Sequence, residues 1–481
     1  MAMTTDSRGK NDVGGNDQHE AGVAPSLFVP RSLAVALWVL VWQLASMVVG
    51  SNILLAGPVE TLARLAELIV QPKFLTIVCF SSARILGGFI AAYVAAVALA
   101  LVARRWPVVG ALFAPAIQVL KTVPLACIIV LMLMWVGSRA VSGPAVFLVV
   151  FPAVYFSCAE GLANVDAKVG EMLSAFGVNG IVRLLVHTWP SVVPYLVGTA
   201  KNVCGMAWKA GVAAELIGSP MGSIGERIYQ SKILLETADL FAWTIVVIAL
   251  SAVCERLFVA LIARSGGLSQ KAALRLTRDV WASAEQDADR VPSAIMLDGS
   301  IGYKNKVVLQ EVHLNLCPGS RTVLCDISGA GKTTLLRTVA GLQPVLDGSL
   351  LLLPPTVSMV FQESRLVEQL TAIDNVSLVV GAQNREKVAQ ELLELLPQEA
   401  LDVPVAELSG GQRRRVEVVR ALLYPSSAVL LDEAFSSLDD ESHAIAASFV
   451  RNRLAGRTLL AASHDANDAV LLGAKQLRLF E

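Results

Sequence analysis

The segment "LCDISGAGKTTLLR", residues 324–337, contains the residue types that bind a polyphosphate. A β-like run precedes it and a helix-like run follows it, which is the strand, loop and helix context that a phosphate-binding loop requires. We expect backbone amides of residues 329–332 and the helix start to cradle phosphates, with the Lys332 ammonium as a point charge and the Thr333 hydroxyl as a Mg²⁺ ligand. The predicted nucleotide contacts in this loop are Ser328, Gly329, Ala330, Gly331, Lys332, Thr333 and Thr334.

One residue of this loop departs from the pattern G-x-x-x-x-G-K-[ST], because Asp326 stands where the first glycine is expected. If its carboxylate faced the phosphates at ~6 Å, the repulsion would be about 3 kcal/mol at an effective dielectric constant near 20. That would weaken nucleotide binding by more than about a hundredfold. We therefore predict that the Asp326 side chain turns away, towards backbone donors or a basic neighbour.

A second segment, "AVLLDEAF" at residues 428–435, predicts a buried strand that ends in two carboxylates. A hard cation needs oxygen ligands, and a water attacking a phosphate needs a base beside it. We assign Asp432 to Mg²⁺ and Glu433 to the attacking water.

A third segment, "LSGGQ" at residues 408–412, places small residues at the predicted start of a helix. Ser409 and the amides of Gly410 and Gly411 could there meet a phosphate supplied from outside. A Ser-Gly-Gly helix start is common and indicates little by itself. Its position between the phosphate loop and the Asp-Glu strand makes it a specific signal.

The three segments, in this order, resemble the ABC ATPases, whose signature is LSGGQ. The resemblance implies an α/β P-loop fold with ATP and Mg²⁺ as cofactors, and it adds Gln412 to the nucleotide contacts. It also implies that Gln362 touches Mg²⁺ and the attacking water and faces a permease, that His464 holds the γ-phosphate, and that Tyr303 stacks on adenine. The predicted catalytic residues are Glu433, His464 and Gln362, and the predicted metal ligands are Thr333, Gln362 and Asp432.

The whole chain has the composition of a membrane protein, and nearly all of its apolar character lies before about residue 265. The 481 residues are 54% hydrophobic and 16% charged, with a mean hydropathy of +0.60. The net charge of −1 gives no basic excess for steering the chain to nucleic acid. We predict a disordered leader at 1–30, a permease at 31–264, a linker at 265–292 and an ATPase at 293–481.

Six apolar segments are long enough to span a bilayer as helices. They lie at about 32–59, 74–102, 110–136, 143–160, 191–215 and 240–263. Lysine and arginine are more frequent in the N-terminal flank and in every second connection. This bias predicts that both termini lie in the cytoplasm, with the domain in the bacterial cell membrane.

The connection at 166–190 is too polar for a span and too apolar on one face for a free loop. It predicts a short amphipathic helix over 170–190 that docks on a partner. Glu171, Gly177 and Pro190 match the spacing of the EAA coupling loop of ABC importer permeases, although Met172 and Leu173 replace its two alanines. Residues 58–264 resemble the permeases for nitrate, taurine, aliphatic sulfonates and some pyrimidine vitamin precursors.

Ionisable residues inside spans are costly and usually face a cavity or a partner, so five of them are candidates for the translocation path. A hydrogen bond between helices is at least as good an explanation for any single one. The candidates are Arg84, Lys121, Lys201, Lys209 and Glu215.

Together these features predict an ABC importer half-transporter, with permease and ATPase in one chain. By resemblance it works as a homodimer, because one phosphate loop needs the LSGGQ of the other copy, and with a separate extracytoplasmic solute-binding protein. An ABC exporter is the first alternative. The very short connection near residues 104–107 argues against it. A non-hydrolysing regulator is the second, although Glu433 and His464 are both present. The transported solute is not readable from the sequence.

Overall fold

The computed structural model describes residues 30–51, 53–277, 293–303, 306–327, 329–352 and 354–479. The predicted leader, apart from Pro30, and most of the predicted linker lie outside these ranges. The described chain forms two compact units, one containing residues up to Thr76 with Glu226–Val246, the other Ile77–Gly225 with the residues from Val247 onward.

The first unit contains α1 (Arg31–Val49), α2 (Pro58–Val70) and short parts of later helices. Gly50 ends α1 in the left-handed conformation (φ 62°), and Pro58 then starts α2 where its missing N–H costs nothing. The prediction of one span over 32–59 is therefore wrong beyond Val49. Arg64 and Asp239 pair within this unit, Nε to Oδ1 at 2.8 Å.

The remaining helices of the apolar half lie mainly in the second unit, although residues 226–246 of the last two belong to the first. Their bounds are α3 (Phe74–Arg105), α4 (Pro107–Thr122), α5 (Leu125–Ala140), α6 (Ser142–Ala163), α7 (Ala167–Ala175), α8 (Gly180–Arg183), α9 (Trp189–Gly218), α10 (Ile224–Ile233) and α11 (Thr237–Arg275). The backbones of α3 and α6 meet closely at Gly88, where a Cβ would lie 2.3 Å from the carbonyl oxygen of Gly143.

Five described helices are long and apolar enough to cross a membrane, or six if α4 and α5 form one broken span. Those two helices meet at an angle of 105°. Pro124, which precedes α5, accounts for the break in the predicted span at 110–136, because proline cannot continue the helical hydrogen-bond pattern. The chain is thus a multi-pass membrane protein with about the predicted number of spans.

Two predicted connections differ from the structure. The helix predicted over 170–190 is broken at Gly177, and residues Leu184–Thr188, wound as a π-helix, join α8 to α9. Pro190 therefore lies in the first turn of α9. The predicted linker at 265–292 begins within a helix, because α11 continues to Arg275.

The C-terminal part has α/β architecture with two sheets. Strands β1 (Ile295–Tyr303), β2 (Lys306–Leu316) and β4 (Val345–Leu352) form an antiparallel sheet in the order β2-β1-β4. Strands β3 (Arg321–Leu324), β5 (Val357–Val360), β6 (Ala428–Asp432), β7 (Thr458–Ala462) and β8 (Lys475–Leu477) form a parallel sheet in the order β5-β6-β7-β3-β8. Its helices are α12 (Lys332–Val339), α13 (Ala372–Val380), α14 (Arg385–Leu393), α15 (Gly410–Leu423), α16 (Asp440–Arg453) and α17 (Asn467–Leu472).

The strand order explains how distant sequence segments meet. In a parallel sheet all strands end at the same edge, and ligands bind beyond the carboxyl ends of the strands. The segments that follow β5, β6, β7 and β3 contain Gln362, Glu433, His464 and the phosphate loop. Because these four strands are neighbours, the four segments lie side by side.

Candidate functional site

The loop between β3 and α12 has the backbone that a phosphate cradle needs. Gly329 and Gly331 have φ angles of 83° and 85°, a region that favours glycine. A Cβ on Gly331 would lie 2.8 Å from Cγ of Leu309, so the position excludes side chains for lack of space as well. Gly331 precedes the first residue of α12, while Ser328 lies outside the described residues.

Lys332 is buried, with 6% of its surface exposed, and its ammonium is held inside the loop. It donates to the carbonyl oxygens of Asp326 and Ile327 and lies 3.4 Å from Nδ1 of His464. The two carbonyl oxygens hold the ammonium in the loop without neutralising its charge. The charge therefore remains available for an anion.

The Asp326 carboxylate is bound elsewhere, as predicted. Its Oδ2 accepts a hydrogen bond of 2.8 Å from the backbone N–H of Leu479, just beyond β8. The prediction of a backbone donor is confirmed, and Asp326 ties the phosphate loop to the C-terminal segment.

Asp432 ends β6 with 1% of its surface exposed. Its Oδ1 accepts a 3.2 Å hydrogen bond from the Thr333 hydroxyl, while Oδ2 has no hydrogen-bond partner among the described residues. Burial, together with the neighbouring charge of Glu433, raises the pKa of Asp432 to about 6. A buried carboxylate oxygen without a donor beside a hydroxyl fits a hard cation, which prefers oxygen ligands.

Glu433 lies at the centre of the cluster. Its Oε1 is 2.7 Å from Nε2 of His464, and its Oε2 accepts a 3.2 Å hydrogen bond from Nε2 of Gln362. His464 thus bridges Glu433 and the Lys332 ammonium. Glu433 also has a φ of 50°, which is strained for a residue with a Cβ and is typical of functional positions.

The predicted signature group forms the start of α15. The Ser409 hydroxyl accepts from the Gln412 N–H, and the Gln412 side chain accepts from the Ser409 N–H, a reciprocal capping box. Ser409 and Gly410 are exposed. Among the described residues neither this group nor Tyr303, which is 48% exposed at the end of β1, has a hydrogen bond to the Glu433 cluster.

The predicted coupling residue Glu171 reaches the ATPase from α7. Its Oε1 lies 2.5 Å from Nη2 of Arg337, on α12, and its Oε2 lies 2.6 Å from Nη1 of Arg365. Lys168 of α7 also pairs with Glu363, whose pKa that ammonium lowers. Sequence reasoning missed Arg337 and Arg365, because nothing in the local pattern shows that they face a carboxylate so distant in sequence.

Apolar side chains of α7 join the core of the ATPase. Met172, Leu173 and Phe176 are at most 3% exposed, and the Phe176 ring meets the Tyr424 ring edge-on at 5.1 Å. The residues that depart from the alanines of the EAA pattern are thus buried at this contact. Gly177 ends α7 with a φ of 66°, and the Val178 N–H returns to the Leu173 carbonyl oxygen at 2.9 Å.

Comparison with known proteins matches both halves of the chain. The family described as "ABC transporter" matches residues 309–436, and "Binding-protein-dependent transport system inner membrane component" matches residues 87–265. An aliphatic sulfonates import ATP-binding protein of Rhodococcus jostii is 35% identical over 202 residues, which cover 40% of this chain and 82% of that protein. The chain belongs to the ABC transporter family. It combines an importer-type permease with an ATPase that binds ATP and drives transport.

Two further proteins match a similar share of the chain. An aliphatic sulfonates import ATP-binding protein of Pseudomonas fluorescens is 36% identical to this ABC transporter, over 37% of this chain and 69% of its own. A solved dimeric bacterial ABC transporter cassette covers 39% of this chain and 94% of its own, at 24% identity and a TM-score of 0.34.

The five candidates for the translocation path of this ABC transporter do not form one group. Glu215 is fully buried, accepts a 2.7 Å hydrogen bond from the Ser81 hydroxyl, and lies 3.6 Å from the Arg84 guanidinium. Lys121 lies 5.8 Å from the Phe156 ring centre. Lys201 and Lys209 are both exposed on α9. Only Arg84 and Glu215 are brought together.

Proposed function

We propose that two copies of this chain form an importer in the bacterial cell membrane, with both termini in the cytoplasm. Each copy contributes a permease at 31–264 and an ATPase at 293–481, joined by residues 265–292. A separate extracytoplasmic binding protein delivers a small solute. The contact between Glu171 and the arginines 337 and 365 carries this proposal, because it joins the permease helix α7 to the ATPase in one ionic cluster.

The Glu433 cluster supports ATP hydrolysis. Lys332 binds the β and γ phosphates, Glu433 accepts a proton from the attacking water, and Gln362 and His464 orient the water and the γ-phosphate. Thr333, Asp432 and Gln362 would hold Mg²⁺, which when bound neutralises charge on the phosphates. Because His464 and Gln362 both contact Glu433 directly, they must move apart to admit the water and the phosphate.

The exposed helix start at 409–412 supports the homodimer. Ser409 and Gln412 cap their own helix, while the backbone amides of Gly410 and Gly411 have no partner within the helix. A phosphate bound to the other copy would satisfy those amides. Two equivalent ATP sites result, each needing both copies.

The solute class rests on two kinds of support. The ATP-binding relatives are named for aliphatic sulfonates, and the permease segments resemble those for nitrate, taurine, sulfonates and pyrimidine vitamin precursors. The relatives match the ATPase, which does not touch the solute, so choice of solute must lie in the permease and the binding protein. We propose a small sulfonate-like anion.

The test is reconstitution of the full chain in vesicles with the binding protein encoded beside it. We expect a sulfonate to raise the melting temperature of that binding protein, and ATP inside the vesicles to drive uptake of the same sulfonate. A vitamin precursor that stabilises the binding protein, with no response to anions, would refute the sulfonate class. ATP-driven movement from the ATPase side, without a binding protein, would establish the exporter instead.

Glu433→Gln is the matched control for hydrolysis. The amide keeps the shape of the side chain but cannot accept the proton, so we expect ATP binding without turnover or uptake. Undiminished hydrolysis would remove Glu433 as the base. No ATP turnover by the wild type would instead favour the non-hydrolysing alternative.

A further inference from the structure

Three charged side chains on one face of α15 have no part in the site described above. Arg414, Glu417 and Arg420 follow each other at intervals of three residues, which puts them on neighbouring turns. Their side chains are 6%, 0% and 1% exposed. Buried charges are costly unless they are paired, so this face requires an explanation.

All three side chains contact one segment, residues 361–365. The Arg414 guanidinium donates to the carbonyl oxygens of Phe361 and Gln362, both at 2.5 Å. Glu417 Oε1 accepts from the Arg365 N–H at 2.5 Å and from the Ser364 hydroxyl at 3.2 Å.

Two further contacts complete the arrangement. Arg420 donates to the Arg365 carbonyl oxygen at 2.8 Å, and Glu417 Oε2 accepts from Arg414 at 3.1 Å. The backbone of the segment is therefore held at both ends by α15.

The same segment reaches two other places. Gln362 contacts Glu433 in the hydrolysis cluster, and Arg365 contacts Glu171 on α7. Arg365 is thus held by Glu417 through its backbone and by Glu171 through its side chain. A displacement of α7 would pull on the segment, and the segment is fixed to α15, the helix that Ser409 caps.

Stability alone does not explain a charged face here. Burial raises the pKa of Glu417 and lowers the pKa of Arg420 to about 10, so both ions are opposed by desolvation. Well-packed apolar residues of similar volume often replace such a pair with no loss of stability. What apolar residues cannot supply is the set of directed hydrogen bonds to the backbone of residues 361–365.

We propose that Glu417, together with Arg414, is a positioning residue that fixes residues 361–365 to α15. The fixed segment makes movement at Glu171 shift Gln362 and the Ser409 helix start together. A displacement at Glu171 is thereby transmitted to two places. One is the water site of the same copy, and the other is the helix start at Ser409, which binds the phosphate held by the other copy. This inference rests on the proposed coupling role of Glu171.

The test is a double-mutant cycle on kcat for ATP, in the full chain in lipid nanodiscs. We expect Glu171→Gln to lower kcat about tenfold, and to change it by less than about twofold when Glu417→Gln is already present. The KM for ATP should stay within about twofold throughout, because neither side chain touches the nucleotide. Glu391→Gln, which breaks the Arg453–Glu391 pair (2.7 Å) elsewhere in the ATPase, is the matched control and should leave the full effect of Glu171→Gln.

A second variant separates positioning from folding. Arg414→Met, Glu417→Leu and Arg420→Met together leave no charge of this face buried without a partner, so this variant should keep the melting temperature near that of the wild type and still abolish the effect of Glu171→Gln on kcat. If Glu171→Gln still lowers kcat about tenfold in the Glu417→Gln variant, or in the variant with Glu417→Leu, the positioning role is overturned. No effect of Glu171→Gln in the wild type would overturn the coupling contact itself, and the positioning role with it.

Discussion

Asp326 is the residue whose type conflicts most with its place, since a carboxylate occupies the first position of a phosphate loop. The structure resolves the conflict by using the carboxylate as an acceptor for the Leu479 N–H. We expect Asp326→Gly to change ATP affinity by less than about twofold, because no repulsion is removed. The lost hydrogen bond should cost about 1 kcal/mol of unfolding free energy.

The measurement for Asp326 is nucleotide binding by calorimetry, with Asp326→Asn as the control that removes the charge and keeps an acceptor. A tenfold or larger gain in ATP affinity in both variants would show that the charge faces the nucleotide. A gain in the glycine variant alone would assign the effect to backbone freedom instead.

Asp432 predicts a dependence of stability on pH. Its pKa in the folded protein, about 6, lies above the ordinary 3.8, so the stability that the protonated form contributes is lost as pH rises through 6. Without Mg²⁺ and nucleotide this loss is on the order of 3 kcal/mol at pH 7.5. Asp432→Asn cannot ionise, so its melting temperature relative to the wild type should be higher at pH 7.5 than at pH 4.5, because the loss takes place between pH 3.8 and 6.

The Asp432 experiment compares the melting temperature of Asp432→Asn with that of the wild type at each pH. The titration of all other groups is common to both proteins and cancels in the difference. Asp432→Asn should also lose Mg²⁺-dependent ATP turnover, since an amide is a weaker cation ligand than a carboxylate. A pH-independent difference in melting temperature would contradict the raised pKa, whatever the effect on turnover.

Among the elements, α7 makes the contacts between permease and ATPase, and its end depends on Gly177. The φ of 66° costs a residue with a Cβ about 1–2 kcal/mol. Gly177→Ala should therefore fray α7, speed amide exchange over residues 167–176 and weaken the dependence of kcat on Glu171. Gly170→Ala is the control, because Gly170 is helical and a Cβ there meets nothing within 4 Å.

The control variant Gly170→Ala should leave the stability of α7 unchanged or raise it slightly, since alanine is a better helix former than glycine. Equal amide exchange in Gly177→Ala and the wild type would mean that the contacts of Met172 and Leu173 hold the helix without its cap.

The elements also show what the sequence could predict. The phosphate loop and the Asp-Glu strand predicted Lys332 and Glu433, and the family resemblance added Gln362 and His464. The structure brings the four together because each follows a strand of one parallel sheet, and strand ends share an edge. Arg337 and Arg365 could not be found, because their partner Glu171 lies in another domain and pairing at that distance leaves no periodic signal. Hydropathy also missed the breaks at Gly50 and Pro124, since an apolar average does not record where helical geometry stops.

For the whole molecule, the question is whether the covalent connection or the α7 contact holds the ATPase to the permease. Met172, Leu173 and Phe176 are buried in the ATPase core, Glu171 and Lys168 form ion pairs with it, and Thr277, just beyond α11, accepts from the Ala382 N–H at 3.1 Å. These contacts predict that a protease site inserted between Gln286 and Asp287 can be cut without separating the halves. After cleavage in detergent, both fragments should elute together and hydrolyse ATP at the same rate as the uncut chain.

Leu173→Asp, which buries a charge without a partner, should release the ATPase fragment on cleavage. Separation of the wild-type fragments would show that the covalent connection holds the halves, and that α7 touches the ATPase too weakly to transmit force by itself.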